Sequence, residues 1–457
     1  MKNPIPTLLC IVSVFSSAFA GQTSGKDALY PRTSLKEVAP PGLKIGVTIS
    51  SNGWVGGYKG YREGAEELVA RNFNFIHATS NTNRLWKGPG VYDFSTFNPI
   101  VGWAAERGMN VETMLSLIWA NRKEHKGWNP AWLANEPVED LPKLLEDYLA
   151  AFFASENNAR RLTHITAVNE ALAGWDSPNQ GGYRSDEQCK WNLLGWEEDQ
   201  SGLTGAEKIN DRHPIYIRRM FEVARKHTPA KLELRDYGIE FGNNHKETAF
   251  YQLVRHLQNS GVPIDAVGFQ CHFRADTRVD WRAFERTVAR YRALGLEVYM
   301  TELDGRIPWE PTVGDLELQR RFYREALFSA RRSGVSVVNV WGVGDGWDKG
   351  WFTKDNPLLF TNDFQPKPAY TGFLEGLTQP LPALEPDWAG MKAPGVQATA
   401  ESLSSSEIKL TWKDLPAKTA QLVITRQLSG TARPSLAAKL APHVRTWWNA
   451  GLSGGRT

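Results

Sequence analysis

Residues 281–304 read WRAFERTVARYRALGLEVYMTELD, and the order of residue types in that stretch decides the fold. Trp281–Leu294 carries the three-and-four spacing of an amphipathic helix. Gly295 follows, where a glycine can take the left-handed conformation that closes a helix. Glu297–Thr301 is then a short run with β-branched and aromatic residues, which reads as a strand. The run gives out onto two carboxylates, Glu302 and Asp304.

Outward from this unit the same order recurs. Candidate strands are Leu43–Ile49, Phe73–Ala78, Asn110–Leu117, Thr163–Val168, Lys231–Leu234, Ala266–Gln270, Glu297–Thr301 and Val335–Val340. Helical patterns fill the gaps: Tyr61–Arg71, Asn98–Arg107, Leu141–Ser155, Pro214–Lys226, Lys246–Asn259, Trp281–Leu294 and Leu316–Ser333. Gly108, Gly261 and Gly334 stand where Gly295 does, just before a strand. The reading is an α/β chain forming a (β/α)₈ TIM barrel, whose active site would sit where the strands end. The connection from Ala171 to His213 is long and carries Trp175, Trp191 and Trp196, and a connection of that length is functional or disordered.

The first twenty residues read as an export signal, with Lys2, an apolar run from Leu8 to Phe15, and Ala18-Phe19-Ala20 as a cleavage site. The chain is therefore expected to be secreted, extracellular or periplasmic. Residues 21–40 form a leader, 41–378 the barrel and 379–394 a Pro-rich linker. Residues 395–457 alternate like a short, incomplete β-sandwich, similar to the start of a fibronectin type III module, in which Trp412 takes an inner position. The formal charge of +3, from 53 basic and 50 acidic residues, gives no reason to expect nucleic acid or an anionic membrane as partner. Cys10 leaves with the signal, and Cys189 and Cys271 read equally well as a disulfide or as two thiols. The nine histidines show no metal-ligand spacing, so no metal or other cofactor is expected. Eighteen tryptophans offer flat faces on which sugar rings stack, although core packing claims most of them.

Three strand ends carry candidate chemistry: Ala167-Val168-Asn169-Glu170, Gly268-Phe269-Gln270-Cys271-His272 and Met300-Thr301-Glu302-Leu303-Asp304. Acetal hydrolysis needs a proton for the leaving oxygen and a carboxylate for the cationic carbon, so Glu170 and Glu302 are the candidate pair. These segments resemble glycoside hydrolase family 10, the β-1,4-xylanase family. The resemblance runs in order from Leu43 to Leu377 and adds Asp236-Tyr237, Val340-Trp341-Gly342 with Asp345, and Gln365-Pro366-Lys367-Pro368.

That resemblance implies a retaining endo-1,4-β-xylanase-like enzyme acting as a monomer on xylan or a related β-glycan. Glu170 would be the acid/base and Glu302 the nucleophile. Asn169 would bond a sugar 2-hydroxyl, His272 the nucleophile; Gln270 would position the acid/base, and Asp304 would support it all from behind. Trp86, Trp119, Tyr237, Trp341 and Trp351 would contact the sugars. Two stretches depart from the family. Asn81-Thr82-Asn83-Arg84-Leu85-Trp86 keeps only the tryptophan of its motif, and Leu115-Ser116-Leu117-Ile118-Trp119-Ala120 lacks both histidines. Groups that bind buried hydroxyls set specificity, so an altered glycan preference is expected, with the long-loop tryptophans supplying binding surface. An exo or small-glycoside hydrolase, or a carbohydrate-binding protein without catalysis, are the competing readings.

Overall fold

The structure is a computed structural model. It describes residues 33–57, 59–79, 81–115, 130–174, 180–186, 188–242, 244–346 and 355–382, together with five strands nearer the C-terminus. The expected signal sequence, Trp119, Trp175, Trp351 and most of the Pro-rich linker lie outside these residues.

Contacts divide the chain into two compact units at Gln379/Pro380. In the first, eight parallel strands close on themselves: β1 Lys44–Ser50, β2 Phe75–Thr79, β3 Asn110–Met114, β4 His164–Asn169, β5 Lys231–Asp236, β6 Ala266–Phe269, β7 Glu297–Arg306 and β8 Val337–Val340. Each pairs with the next, β6 pairs with β7, and β8 returns to β1. The longer helices are α1 Tyr61–Asn72, α2 Asn98–Glu106, α3 Leu141–Ala154, α4 Ile215–His227, α5 His245–Asn259, α6 Trp281–Arg292, α7 Val313–Ser333 and α8 Pro368–Thr378. All eight expected strands are present. β7 runs five residues beyond the expected Thr301, because Asp304–Arg306 also pairs with the extension His272–Arg274. α7 begins earlier than its apolar pattern, at a capping box in which Thr312 and Asp315 exchange side-chain and backbone hydrogen bonds.

Apolar residues facing the helices, such as Ile45, Val47, Ile76, Val111, Ile165, Leu234, Val267, Val298 and Val338, belong to one large buried cluster. Residues of the other parity face the barrel axis. Phe75, Ala266, Tyr299 and Val337 form a small apolar layer of their own. Other positions of that parity hold buried polar groups, among them Thr48, His77, Glu112, Glu233, Arg235 and Asn339. Asn339 donates to the Thr48 hydroxyl at 2.8 Å and to the Thr301 carbonyl at 2.7 Å, tying β8 to β1 and β7.

The second unit holds an antiparallel sheet of Ala398–Ser404, Glu407–Trp412 and Thr446–Ala450, and an antiparallel pair, Leu422–Arg426 with Ser435–Leu440. Cys189 and Cys271 are both free and buried. Among the described residues no helix is long and apolar enough to cross a membrane.

α8 closes the barrel by lying against α7, and the approach is close at Gly372, where a Cβ would meet the Arg320 carbonyl oxygen at 1.9 Å. Relief requires one helix to move, because the obstacle is backbone. Gly372→Ala should therefore lower stability in denaturant unfolding by about 1–3 kcal/mol, the usual cost of overpacking. An unchanged midpoint would show that the helices are not held this tightly.

Candidate active site

Two irregularities place the strand-end carboxylates. β4 pairs with β5 through Thr166↔Glu233 and then Val168↔Leu234, so a residue is inserted just before Glu170. β7 pairs with β8 through Met300↔Val338 and then Leu303↔Val340, so the second insertion includes Glu302 itself. A bulge of this kind bends the strand and re-aims its side chains. Glu170 has φ +56° and Cys271 φ +60°, left-handed conformations that side-chain-bearing residues adopt at a cost of on the order of 1–3 kcal/mol. Backbone bonds hold both turns. Glu170 N–H donates to the Arg235 carbonyl at 2.9 Å, and Glu302 N–H to the Gln270 carbonyl at 3.1 Å.

The Glu170 carboxyl keeps 21% of its side-chain surface open. The Gln270 amide donates to its Oε1 at 3.0 Å and to Asn169 Oδ1 at 3.2 Å, so one side chain fixes both residues. Arg184 reaches Glu170 Oε2 at 3.1 Å and also donates to its carbonyl. Burial pushes the Glu170 pKa above the ordinary carboxylate range; Arg184 and Gln270 oppose the rise, while Asp236 and Glu302 add to it. Asp236 also accepts the Leu172 N–H at 3.2 Å and pairs with Lys246 at 2.7 Å, which pins the chain just after Glu170.

Glu302 is almost wholly enclosed. His272 Nε2 meets its Oε2 at 3.0 Å, and His272 Nδ1 meets Asp304 Oδ2 at 2.7 Å. Burial alone would lower the imidazole pKa, but Asp304 and Glu302 on either side raise it to about 10. The two carboxylates thus favour the charged form of His272. Asp304 Oδ1 accepts the Phe273 N–H at 3.1 Å, which fixes the carboxylate that orients the ring. From the barrel interior, Arg235 Nη1 approaches Glu302 Oε1 at 3.4 Å.

The structure thus gathers Glu170, Glu302, Asn169, Gln270, His272 and Asp304 at the ends of β4, β6 and β7. Trp341 follows β8 with its ring partly open, 6.2 Å between centroids from His272 and 5.2 Å from His77. Tyr237 is half-buried, its ring 3.4 Å from the Lys246 ammonium. Trp86 corrects the expectation of a sugar contact. It has no exposed surface and stacks on Tyr148 at 4.5 Å, because the strand it begins turns its ring toward α3. Trp191, one of the long-loop tryptophans expected at the substrate, is likewise core.

Leu85 and Leu115, at the departures from the family pattern, are buried as well, so those residues extend the core. Arg184, Arg235, Asp236 and Lys246 were not singled out as site residues from sequence. Arg184 arrives on the long connection after β4, which is anchored where Lys190 donates to the Leu133 and Ala134 carbonyls.

Elsewhere Asp199, His213 and His256 bring potential metal-ligand atoms within 4.8 Å of one another, a grouping that chain spacing hides because it joins the strand pair Trp196–Glu198 and Arg212–Pro214 to α5. Every imidazole nitrogen there already has a partner. His213 meets Tyr183 and Asp199, and His256 meets the Gln200 N–H and Glu197. The trio pins the connection that delivers Arg184.

Two carboxyl groups at the mouth of a parallel barrel, one raised by burial and the other gripped by an imidazole and a guanidinium, are the equipment of a glycoside hydrolase. The model of glycosyl hydrolase family 10 matches residues 34–376, and the chain belongs to that family. It is 27% identical over 348 residues to endo-1,4-beta-xylanase A of Thermoanaerobacterium saccharolyticum, covering 74% of this chain and 27% of that one. Exoglucanase XynX of Acetivibrio thermocellus is also 27% identical over 348 residues, covering 74% of this chain and 29% of that one. The chain thus spans less than a third of the length of these curated relatives. Among solved structures, xylanase 10B from Thermotoga petrophila in complex with xylobiose aligns with a TM-score of 0.62 at 26% identity, covering 76% of this chain and 98% of that one.

Arg184 touches Glu170 from the long connection after β4. Its positive charge favours ionised Glu170, so Arg184→Met should raise the Glu170 pKa further and move the alkaline fall of kcat/KM to higher pH. A profile on an unactivated xylo-oligosaccharide, whose leaving oxygen needs the Glu170 proton, checks the sign, and a fall that moved to lower pH would contradict the electrostatic reading.

Proposed function

We propose that the barrel hydrolyses β-1,4-linked plant polysaccharide, xylan or a close relative of it, with retention of anomeric configuration. Glu170 serves as acid/base and Glu302 as nucleophile. The contrast between the two carboxyl settings carries the reading. Glu170 is held toward its protonated form by burial and by neighbouring carboxylates, as a group that must give up a proton requires. Glu302 is presented between His272 and Arg235, with no comparable opening to solvent.

In the first step the Glu170 proton passes to the leaving glycosidic oxygen. That oxygen departs with the bonding pair, and a Glu302 oxygen bonds to the sugar carbon. The ester that results is neutral. With the negative charge of Glu302 gone, one influence raising the Glu170 pKa disappears, so Glu170 becomes the better base for the water that cleaves the ester. Gln270 joins Glu170 to Asn169, which stands ready to bond a hydroxyl of the same sugar. Trp341, Trp351 and Tyr237 are proposed as sugar-contacting walls, and Trp119 with them.

Action as a monomer belongs to the same proposal. The first twenty residues support export. The antiparallel strands after Ala398 support a β-sandwich of fibronectin type III kind as an accessory to the barrel. The xylanase names of several relatives support xylan as the substrate class. The core positions of Leu85 and Leu115 leave fewer groups to hold the glycone, which supports a shifted preference among xylans and other β-glycans.

Glu302→Gln should retain fold and oligosaccharide binding while losing about 10⁴-fold or more in turnover, because the amide cannot form the ester. Glu170→Ala should lose on the order of 10²–10⁴-fold on polysaccharide and far less on activated aryl glycosides, with azide restoring turnover of the latter. Substantial hydrolysis by pure Glu302→Gln, or equal losses on both substrates with no azide effect, would reject the assignment.

A further inference from the structure

Arg235 is a charged side chain in the barrel interior with no exposed surface. It lies on β5 and would be costly to bury alone, since an unpaired ion in the interior loses several kcal/mol of hydration. Two carboxylates receive it. Nε donates to Glu233 Oε1 at 2.8 Å and Nη2 to Glu233 Oε2 at 3.2 Å, while Nη2 also bonds Glu112 Oε1.

Glu112 is itself held by the Thr166 hydroxyl at 3.0 Å and by His77 Nδ1 at 3.0 Å. Burial lowers His77 to about 3, so that ring is neutral and adds no competing cation. Gly268 leaves room on β6, where a Cβ would stand 1.8 Å from Glu233 Oε1. These bonds satisfy the guanidinium from below and leave Nη1 directed at Glu302 Oε1, 3.4 Å away.

We propose that Arg235 is a positioning residue for Glu302: it holds one carboxylate oxygen from the barrel interior while His272 holds the other, and Glu112 and Glu233 aim it. The proposal rests on the reading of Glu302 as nucleophile. Two fixed donors on two oxygens restrict the carboxylate plane, so the attacking oxygen is presented in one orientation. The lower carboxylates matter for the next stage. When Glu302 becomes a neutral ester it no longer balances Arg235, yet the guanidinium keeps Glu112 and Glu233 and is not stranded. An arginine paired with Glu302 alone would resist formation of that ester.

The test compares Arg235→Met, Arg235→Lys and Glu302→Gln in the full chain, each checked for native circular dichroism. The readouts are the pre-steady-state glycosylation rate with a dinitrophenyl β-xylobioside and the Kd for xylotetraose. Arg235→Met should slow glycosylation by about 10²–10³-fold, the usual effect of removing one preorganised donor, with Kd within about threefold. Arg235→Lys, which retains the charge without the fork, should recover about tenfold of that loss.

If Arg235→Met does not fold, Arg235→Met/Glu233→Gln removes one of the two carboxylates left without the guanidinium, and the same rate loss is expected of it. Glycosylation within about threefold of the parent in a folded Arg235 variant overturns the proposal. So does a loss that falls equally on rate and binding. Turnover by Glu302→Gln instead overturns the nucleophile assignment, so the two failures are distinct.

Discussion

A closed parallel barrel can carry charge on its axis only if each charge is neutralised where it stands, and Arg235 is the charge that governs this one. Its guanidinium reaches carboxylates from β3, β5 and β7. β3 and β7 stand opposite each other in the closed barrel with β5, which carries Arg235 itself, midway between them, so the ion cluster ties the two sides together across the axis. Replacing such a cluster by apolar residues is often neutral or stabilising, whereas removing one partner is strongly destabilising. The arrangement is therefore better understood by what it aims than by what it adds to stability. Its upper end is Glu302.

Above that layer the backbone completes the aiming. Bulges at Thr166/Val168 and Met300/Leu303 turn the ends of β4 and β7, and Glu170 and Cys271 occupy left-handed conformations beside them. The two carboxyl groups then meet opposite surroundings. Glu170 faces Gln270 and a partly open mouth, and its own burial works against ionisation. Glu302 lies between the Arg235 guanidinium and the His272 imidazole, whose charged form Asp304 favours. Opposite settings for two residues of one type permit one to give a proton and the other to give an electron pair.

Much of this was legible in the sequence. The eight strands were marked by apolar and β-branched runs, and Glu170, Gln270, His272 and Glu302 by their places at strand ends. The interior was not, although a signal existed. Strands of a parallel barrel read as nearly continuous apolar runs, yet Lys231–Asp236 alternates charged and apolar residues. That alternation marks a polar axis, and Glu233 and Arg235 are its members. Arg184, Asp199, His213 and His256 depend on how a long connection folds back, which periodicity does not report. Trp86 was carried over from the family resemblance, and a shared motif position does not separate a ring that meets sugar from one that meets Tyr148.

In the proposed mechanism Glu302 forms a covalent bond to the sugar, and water then enters from the same face through Glu170. Proton NMR of the first product released from xylopentaose, taken before mutarotation, tests this most directly. The account predicts the β-anomer at the new reducing end. The α-anomer as first product would mean a single displacement by water and would contradict it.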